Sequence, residues 1–202
     1  WDNHVHFRGG DTLVEENKDL LPLFLAYGIT TVKDAGGDIT PSVMEWKDQI
    51  ANGDLDGPRI FSSGPKLDGD KPAWPGSIKV SDSSDIVAAL DSLEELDVDY
   101  VKTYDGNLSA ENYYKIIEET EKRELKVTGH MPMSADFLKA ISLGLDGAEH
   151  MYYPLKACSP ASDSLTKLNL GYGMIEPLID TYEPELADEV FAKMSEENVY
   201  VT

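Results

Sequence analysis

Trp1-Asp2-Asn3-His4-Val5-His6-Phe7 opens the chain, and its reading decides how the rest is read. If these residues form a β-strand, side chains two apart point to the same face, so His4 and His6 present their imidazoles side by side. That is half of a metal site. Only two further histidines exist, His130 in VTGHMP and His150 in GAEHMYY, and each sits where a short apolar run ends in a turn. All four histidines are therefore candidates for one site, because a divalent metal needs ligands arriving from several rigid elements and strand ends supply that rigidity.

Outward from this stretch, helix and strand signals alternate. Residues 15–27 carry Leu20, Leu21, Leu23, Phe24 and Tyr27 at helical spacing, with Pro22 expected in the first turn and Gly28 as the stop. ITTVKDAGG (29–37) reads as a β-branched strand closed by glycines, and Thr40 as the N-cap of a helix that continues with Pro41. PRIFSSGP (58–65) is a third strand, followed by a loop over 64–83 that is longer than ordinary connections. A helix over 84–98 leads to DYVKTYDG (99–106), the fourth strand, with Lys102 near its C-terminal end. Ser109 caps the next helix, KVTGHMP (126–132) is strand five, and LDGAEHM ends strand six at His150. Residues 152–184 read as irregular, PELADEVFAKMSEEN as a helix with acidic residues at its start, and VYVT as the opening of strand seven.

Alternation without hairpins implies a parallel sheet with helices outside it. The candidate chemistry lies at the ends of strands one, four, five and six, and a barrel converges such ends on one point where an open doubly wound sheet does not. The expected architecture is an α/β fold of the (β/α)8 TIM-barrel type, one domain over 1–202, incomplete at about seven strands and stopping before the eighth.

Seventeen Lys and Arg against 38 Asp and Glu give a net charge of −21, which argues against nucleic acid, phosphate-rich ligands and anionic membranes as partners. A lone Cys158 excludes an internal disulfide framework and a cysteine-based zinc site. No apolar run approaches the roughly 20 residues of a membrane-inserted helix. The chain begins directly on a strand, so a natural N-terminus further upstream is expected.

WDNHVHF, GITTVKDAGG, PRIFSSGP, DYVKTYDG, VTGHMP and GAEHM resemble successive strand motifs of the amidohydrolase superfamily, in its imidazolonepropionase and Xaa-Pro dipeptidase (prolidase) branch. The resemblance runs nearly the whole chain. It implies one or two divalent metals, zinc foremost, with His4 and His6 on the more buried ion and His130 and His150 on the second. Lys102, carboxylated by carbon dioxide to a carbamate, would bridge them. The implied reaction is hydrolysis of an amide, peptide or cyclic-amide C–N bond in a small-molecule or short-peptide substrate, through a metal-activated water. In the family an eighth-strand aspartate takes the water proton and passes it to the leaving nitrogen. That aspartate has no counterpart here, so the chain is expected to be catalytically incomplete. Lactone hydrolysis or deamination on the same metal core is a rival reading, and a non-catalytic metal-binding barrel fragment is another.

The remaining candidates have two readings each. A lysine buried near cations loses its proton and can react with carbon dioxide, but Lys102 left as an ammonium would pair with a carboxylate such as Asp34 or Glu149. Asp34 either touches the site or fixes a loop. Tyr104 and Tyr152 follow strand ends, where they line the substrate pocket or simply pack. Gly36 and Gly37 match no complete phosphate-binding motif and read as turn formers.

Overall fold

The computed structural model describes residues 1–202 as two parallel sheets surrounded by helices. Strands β1 (Asp2–Val5), β2 (Thr31–Asp34) and β3 (Arg59–Ser62) form a three-stranded sheet in that order. The larger sheet contains β4 (Leu67–Asp68), β5 (Ile78–Lys79), β6 (Val101–Thr103), β7 (Val127–Gly129), β8 (Gly147–Ala148) and β9 (Tyr200–Val201), in the order β5-β4-β6-β7-β8-β9. Every pairing is parallel. The helices are α1 (Val14–Ala26), α2 (Thr40–Asn52), α3 (Ser83–Glu95), α4 (Ala110–Lys122), α5 (Phe137–Ser142), α6 (Tyr152–Ala157), α7 (Ser162–Lys167), α8 (Ile175–Asp180) and α9 (Pro184–Glu196).

Local chemistry accounts for these elements. The Ser109 side chain accepts a bond from the Asn112 amide at the start of α4, and Tyr113, Ile116, Ile117 and Thr120 then bury one face at the three- and four-residue spacing of a helix. Asp82 caps α3 in the same way, accepting from the amides of Ser84 and Asp85. The paired strands are rich in β-branched residues, such as Thr31-Val32 and Val127-Thr128, which suit a pleated surface buried on both faces.

The two sheets meet where β3 passes the start of β6. The Asp99 amide donates to the Ser62 carbonyl at 2.9 Å, while the Asp99 carboxylate accepts from the Ser62 amide and from Lys47, each at 2.8 Å. The Tyr100 hydroxyl donates to the Asp34 carbonyl at 2.7 Å. Their apolar cores stay separate: 29 buried residues around the large sheet, and seven around the small one, among them Phe7, Leu21, Val32 and Trp46. The sheets remain open, with β1 and β9 each terminating one of them. A cavity of about 660 Å3 lies between those edges, lined by Trp1, Asn3, Lys33, Phe61, Tyr100 and Tyr200 among others.

Several expectations are corrected. Pro22 lies well inside α1, beyond its first turn, and of the apolar residues on that helix Leu21 is fully buried while Leu20, Leu23 and Tyr27 are exposed. Thr40 is the first residue of α2 instead of its cap, a position held by Ile39 with no side-chain bond. The long loop after β3 holds two short strands, β4 and β5, because Leu67 and Asp68 pair with Ile78 and Lys79. Residues 152–184, read as irregular, form α6, α7, a 3-10 turn at Gly171–Met174 and α8; these helices have six residues or fewer, too short for a periodic pattern to show. Glu183 sits at the N-cap of α9 without making a cap bond.

Candidate metal centre

His4 lies within β1, whose register against β2 shifts between Asp2 and Val5, and His6 stands just past its end. His130 directly follows β7, and His150 follows β8 by two residues with φ at 70°, the left-handed region that a non-glycine residue enters only at a cost. That backbone is fixed by the His150 amide donating to the Thr202 carbonyl at 2.7 Å, and by the Glu149 amide donating to the Gly129 carbonyl at 2.9 Å. The four imidazoles form a row. Ring centres are 4.9 Å apart for His6 and His4, 5.1 Å for His4 and His150, and 5.0 Å for His150 and His130.

The first pair is the best defined. His6 Nδ1 lies 2.7 Å from the Gly36 carbonyl, and His4 Nδ1 lies 2.6 Å from Glu149 Oε2. A carbonyl can only accept, and so can an ionised carboxylate, so both Nδ1 atoms carry a proton, and His6, whose pKa burial lowers to about 4, keeps a lone pair on Nε2. Yet the two Nε2 atoms face each other at 3.1 Å. A hydrogen bond across that gap would need a second proton on the His4 ring, whereas a cation there would meet a nitrogen from each ring. Two nitrogens bound to one tetrahedral zinc at about 2.0 to 2.1 Å would stand roughly 3.3 Å apart, so a shared cation fits the spacing. The glycines that follow β2 serve this geometry: Gly36 has φ 85° and aims its carbonyl at His6, and any side chain on Gly37 would strike the Phe7 carbonyl.

Lys102 occupies the middle of β6, not its end, and is fully buried with its amine facing the interior. Its Nζ lies 3.1 Å from Glu149 Oε1, an ion contact whose angles make no hydrogen bond. The pairing with Glu149 that an unmodified lysine would make is therefore present, and the one with Asp34 is not among the ion pairs. His130 Nδ1 is a second buried atom left without a partner. Two buried polar atoms without partners, the Lys102 amine and His130 Nδ1, leave donor or acceptor capacity for a further group. No three His, Cys, Asp or Glu side chains already converge on a single metal-sized point.

Burial dominates the electrostatics. It lowers the His6 pKa to about 4 and that of His130 to about 3, with nearby Lys66 adding to the first and Lys102 to the second; His150 moves the same way. Lys102 falls to about 8, again through burial, against the opposing pull of Glu149. Burial alone would raise the Glu149 carboxyl, but the His4 bond together with Lys102 and Lys33 holds it well below the usual carboxylate range. His6, His130 and His150 are neutral near pH 7, the state a metal requires.

Asp34 fixes a loop. Its carboxylate accepts from the Ser62 hydroxyl at 2.8 Å and faces the Phe7 amide at 3.4 Å, and burial raises its pKa to about 6. Tyr104 places its ring 4.8 Å from that of His130, and Tyr152 places its ring 5.8 Å from that of His150.

Sequence reading missed four residues around this cluster. Lys33 is buried in β2 and donates to Glu149 Oε1 at 2.8 Å; a lysine within the β-branched strand run ITTVKD is the signal that could have marked it. Arg8, Lys66 and Trp74 line a cavity of about 310 Å3, together with Gly37 and Asp38 from the loop after β2. Both cations lie over the Trp74 ring, at 5.2 and 5.5 Å, and Lys66 also lies 5.6 Å from the Tyr104 ring. Neither forms an ion pair, in a chain of net charge −21. Lys66 Nζ approaches the Gly36 carbonyl at 3.4 Å, the same oxygen that holds His6.

No protein-family model matches the chain, and no curated protein matches it. Solved structures do. The chain is similar to a prolidase complexed with N-methylphosphonate-L-proline, at 15% identity and a TM-score of 0.61 over 99% of this chain and 63% of that one. A Xaa-Pro dipeptidase with bound methionine in its active site is 18% identical, with a TM-score of 0.60 over 100% of this chain and 64% of that one. An ochratoxinase from A. niger is 15% identical, with a TM-score of 0.61 over 98% and 57%. The chain thus has the fold of prolidase-like amidohydrolases and spans less than two thirds of the length of each of these structures.

Proposed function

We propose that this chain is the metal-binding core of a prolidase-like amidohydrolase, acting on an amide or peptide C–N bond and built as a (β/α)8-type barrel with some strands missing from this stretch. The observation that carries the reading is the His4–His6 contact: the two Nε2 atoms face each other at 3.1 Å, with each Nδ1 turned to an obligate acceptor. His4 and His6 would hold one ion, His130 and His150 a second, and Lys102, once carboxylated, would bridge. The chemistry supplied by divalent ions such as zinc held there is polarisation of a carbonyl and activation of water.

The chain's own residues argue for the substrate. Lys66 and Arg8 offer two unpaired cations on the face of Trp74, and Tyr104 spans from Lys66 to His130. A carboxylate on those cations would lay the rest of a short peptide or N-acyl amino acid across Tyr104 toward the histidines. This supports a small substrate carrying an acid group near the scissile amide; the similar prolidase structure holds N-methylphosphonate-L-proline.

A second reading, metal binding without catalysis, is favoured by the state of the buried carboxylates. Glu149 already serves His4, Lys33 and Lys102, and Asp34 serves Ser62 and Phe7, so neither is free to move a proton between water and a leaving nitrogen. One experiment separates the two. Residues 1–202 are loaded with zinc, and metal stoichiometry and hydrolysis of a dipeptide library are measured beside a longer form of the protein. Zinc binding with hydrolysis in both forms supports the enzyme reading and assigns the proton shuttle to this chain. Binding with hydrolysis only in the longer form places the shuttle elsewhere. An absence of zinc binding in either form would reject the metal centre.

A further inference from the structure

Glu149 is the hub of the interior, and two lysines compete for it. Its side chain is fully buried; Oε2 faces His4 Nδ1 at 2.6 Å, and Oε1 faces both Lys33 Nζ at 2.8 Å and Lys102 Nζ at 3.1 Å. The two contacts on Oε1 are unequal. Lys33 makes a hydrogen bond and lies over two aromatic faces, 4.9 Å from the Tyr100 ring and 5.0 Å from the Tyr200 ring. The Lys102 amine makes none.

The charges make that inequality matter. Two ammonium groups on one carboxylate leave the cluster with an excess positive charge, and a divalent cation arriving at His4 and His6 adds to it. In a water-poor interior this repulsion is weakly screened. Either lysine could turn away, but only Lys33 can stay without cost, since its bond and its aromatic contacts are already in place. If Glu149 depended on Lys102 instead, recruiting Lys102 to a metal would strand a buried carboxylate and release the His4 ring.

We propose that Lys33 is the standing counter-ion of Glu149, and that the Lys33–Glu149 pair is a positioning device: it holds His4 with Nδ1 protonated and Nε2 turned to the metal position, leaving Lys102 free to change partner. A carboxylate behind a ligating histidine fixes its tautomer and orientation, and loss of such a support typically weakens metal binding by about 10- to 100-fold. The inference rests on the metal-binding reading but is separable from it, because the His4 tautomer exists without metal.

The test compares Lys33→Met, Lys33→Arg and Lys102→Met in the full 202-residue chain. Nitrogen NMR of the metal-free protein reports the His4 tautomer, assigned by its loss in His4→Ala, and a chromophoric chelator competition reports zinc affinity for wild type and the two Lys33 variants. Lys33→Met is expected to give a mixed His4 tautomer and about 10- to 100-fold weaker zinc binding, with Lys33→Arg restoring both to within about threefold. Lys102→Met is expected to leave the tautomer as in wild type. A Lys33→Met protein with an unchanged tautomer and zinc affinity overturns the proposal. Should Lys33→Met fail to fold, Lys102→Met still decides, since a tautomer that shifts there would make Lys102 the true support. If wild type binds no zinc, the metal reading falls while the tautomer comparison still judges Lys33.

Discussion

The small sheet and the large sheet supply two histidines each, yet they are built differently. His130 and His150 hang from a sheet backed by a 29-residue apolar core; His4 and His6 hang from one backed by seven residues. What joins the halves is polar: Asp99 on Ser62, Tyr100 on Asp34, and Glu149 reaching from the large sheet to His4 and Lys33 on the small one. The contrast teaches that half the candidate centre is positioned by burial and half by a charge network. A volume-conserving apolar swap in a core usually costs less than about 1.5 kcal/mol, whereas a buried network fails as a unit when one member is lost.

The sharpest way to break this comparison is Glu149→Leu, which leaves Lys33 and Lys102 buried without a carboxylate. A loss of about 3 to 5 kcal/mol in urea unfolding is expected. Hydrogen exchange should show β1 and β2 losing protection before β6 and β7. Uniform loss across both sheets would show that the halves form one cooperative unit and that the hub is not the joint.

Leu21→Ala probes the small core alone. Leu21 is fully buried there, so a cost of about 2 to 5 kcal/mol is expected from lost contacts and the cavity left behind. The same measurement sharpens the contrast if protection again falls first in β1 and β2.

Much of this arrangement was legible in the sequence, and the limits have physical causes. The parallel order, the positions of β1, β2, β3, β6, β7 and β9, and the Ser109 cap follow from β-branched runs and short-range cap chemistry. The placing of the four histidines in or just past strands was legible for the same reason, since a strand is a local feature. Lys33, Lys66 and Arg8 were not. Their roles depend on contacts across 38 to 116 residues of chain or on the absence of an ion-pair partner, and no local pattern encodes either. The left-handed backbone at His150 was equally hidden, because it is imposed by a bond to Thr202. Pro22 and Thr40 misled because proline and threonine are common at helix starts, and here they lie one position or several beyond the cap.

Asp34 tests the joint through pH. Burial raises its pKa from 3.8 to about 6, so between those values the folded chain holds a proton that the unfolded chain has lost. Stability from this residue is therefore fully present below about pH 4 and declines as pH rises to about 6, by roughly 3 kcal/mol at about 1.4 kcal/mol per pH unit. The histidines act in the opposite direction: His6 and His130 are held neutral by pKa values near 4 and 3, so their contribution grows as pH rises toward 6.5. Measuring wild type and Asp34→Asn together cancels the histidines. The advantage of wild type over the variant should shrink as pH is raised from 4 to 6 and then stay level. A flat difference would mean that Asp34 is ionised throughout and acts as a fixed charge at the joint.

The smallest effect expected is on the outer face of α1, and it tests whether the small half is as thinly covered as it looks. Leu20, Leu23, Phe24, Tyr27 and Ile29 line a shallow apolar surface there, and Leu23 is 50% exposed although it lies two residues from the fully buried Leu21. Two residues on a helix subtend about 200°, so Leu21 and Leu23 must face nearly opposite ways, and only one can reach the seven-residue core. Leu23→Ala removes side-chain atoms that water already reaches, and alanine is at least as good a helix former, so the two changes nearly cancel. A shift within about 0.5 kcal/mol in urea unfolding is expected. A loss above about 1.5 kcal/mol would mean that Leu23 is covered in solution, and the small half would then owe part of its stability to packing outside the seven-residue core.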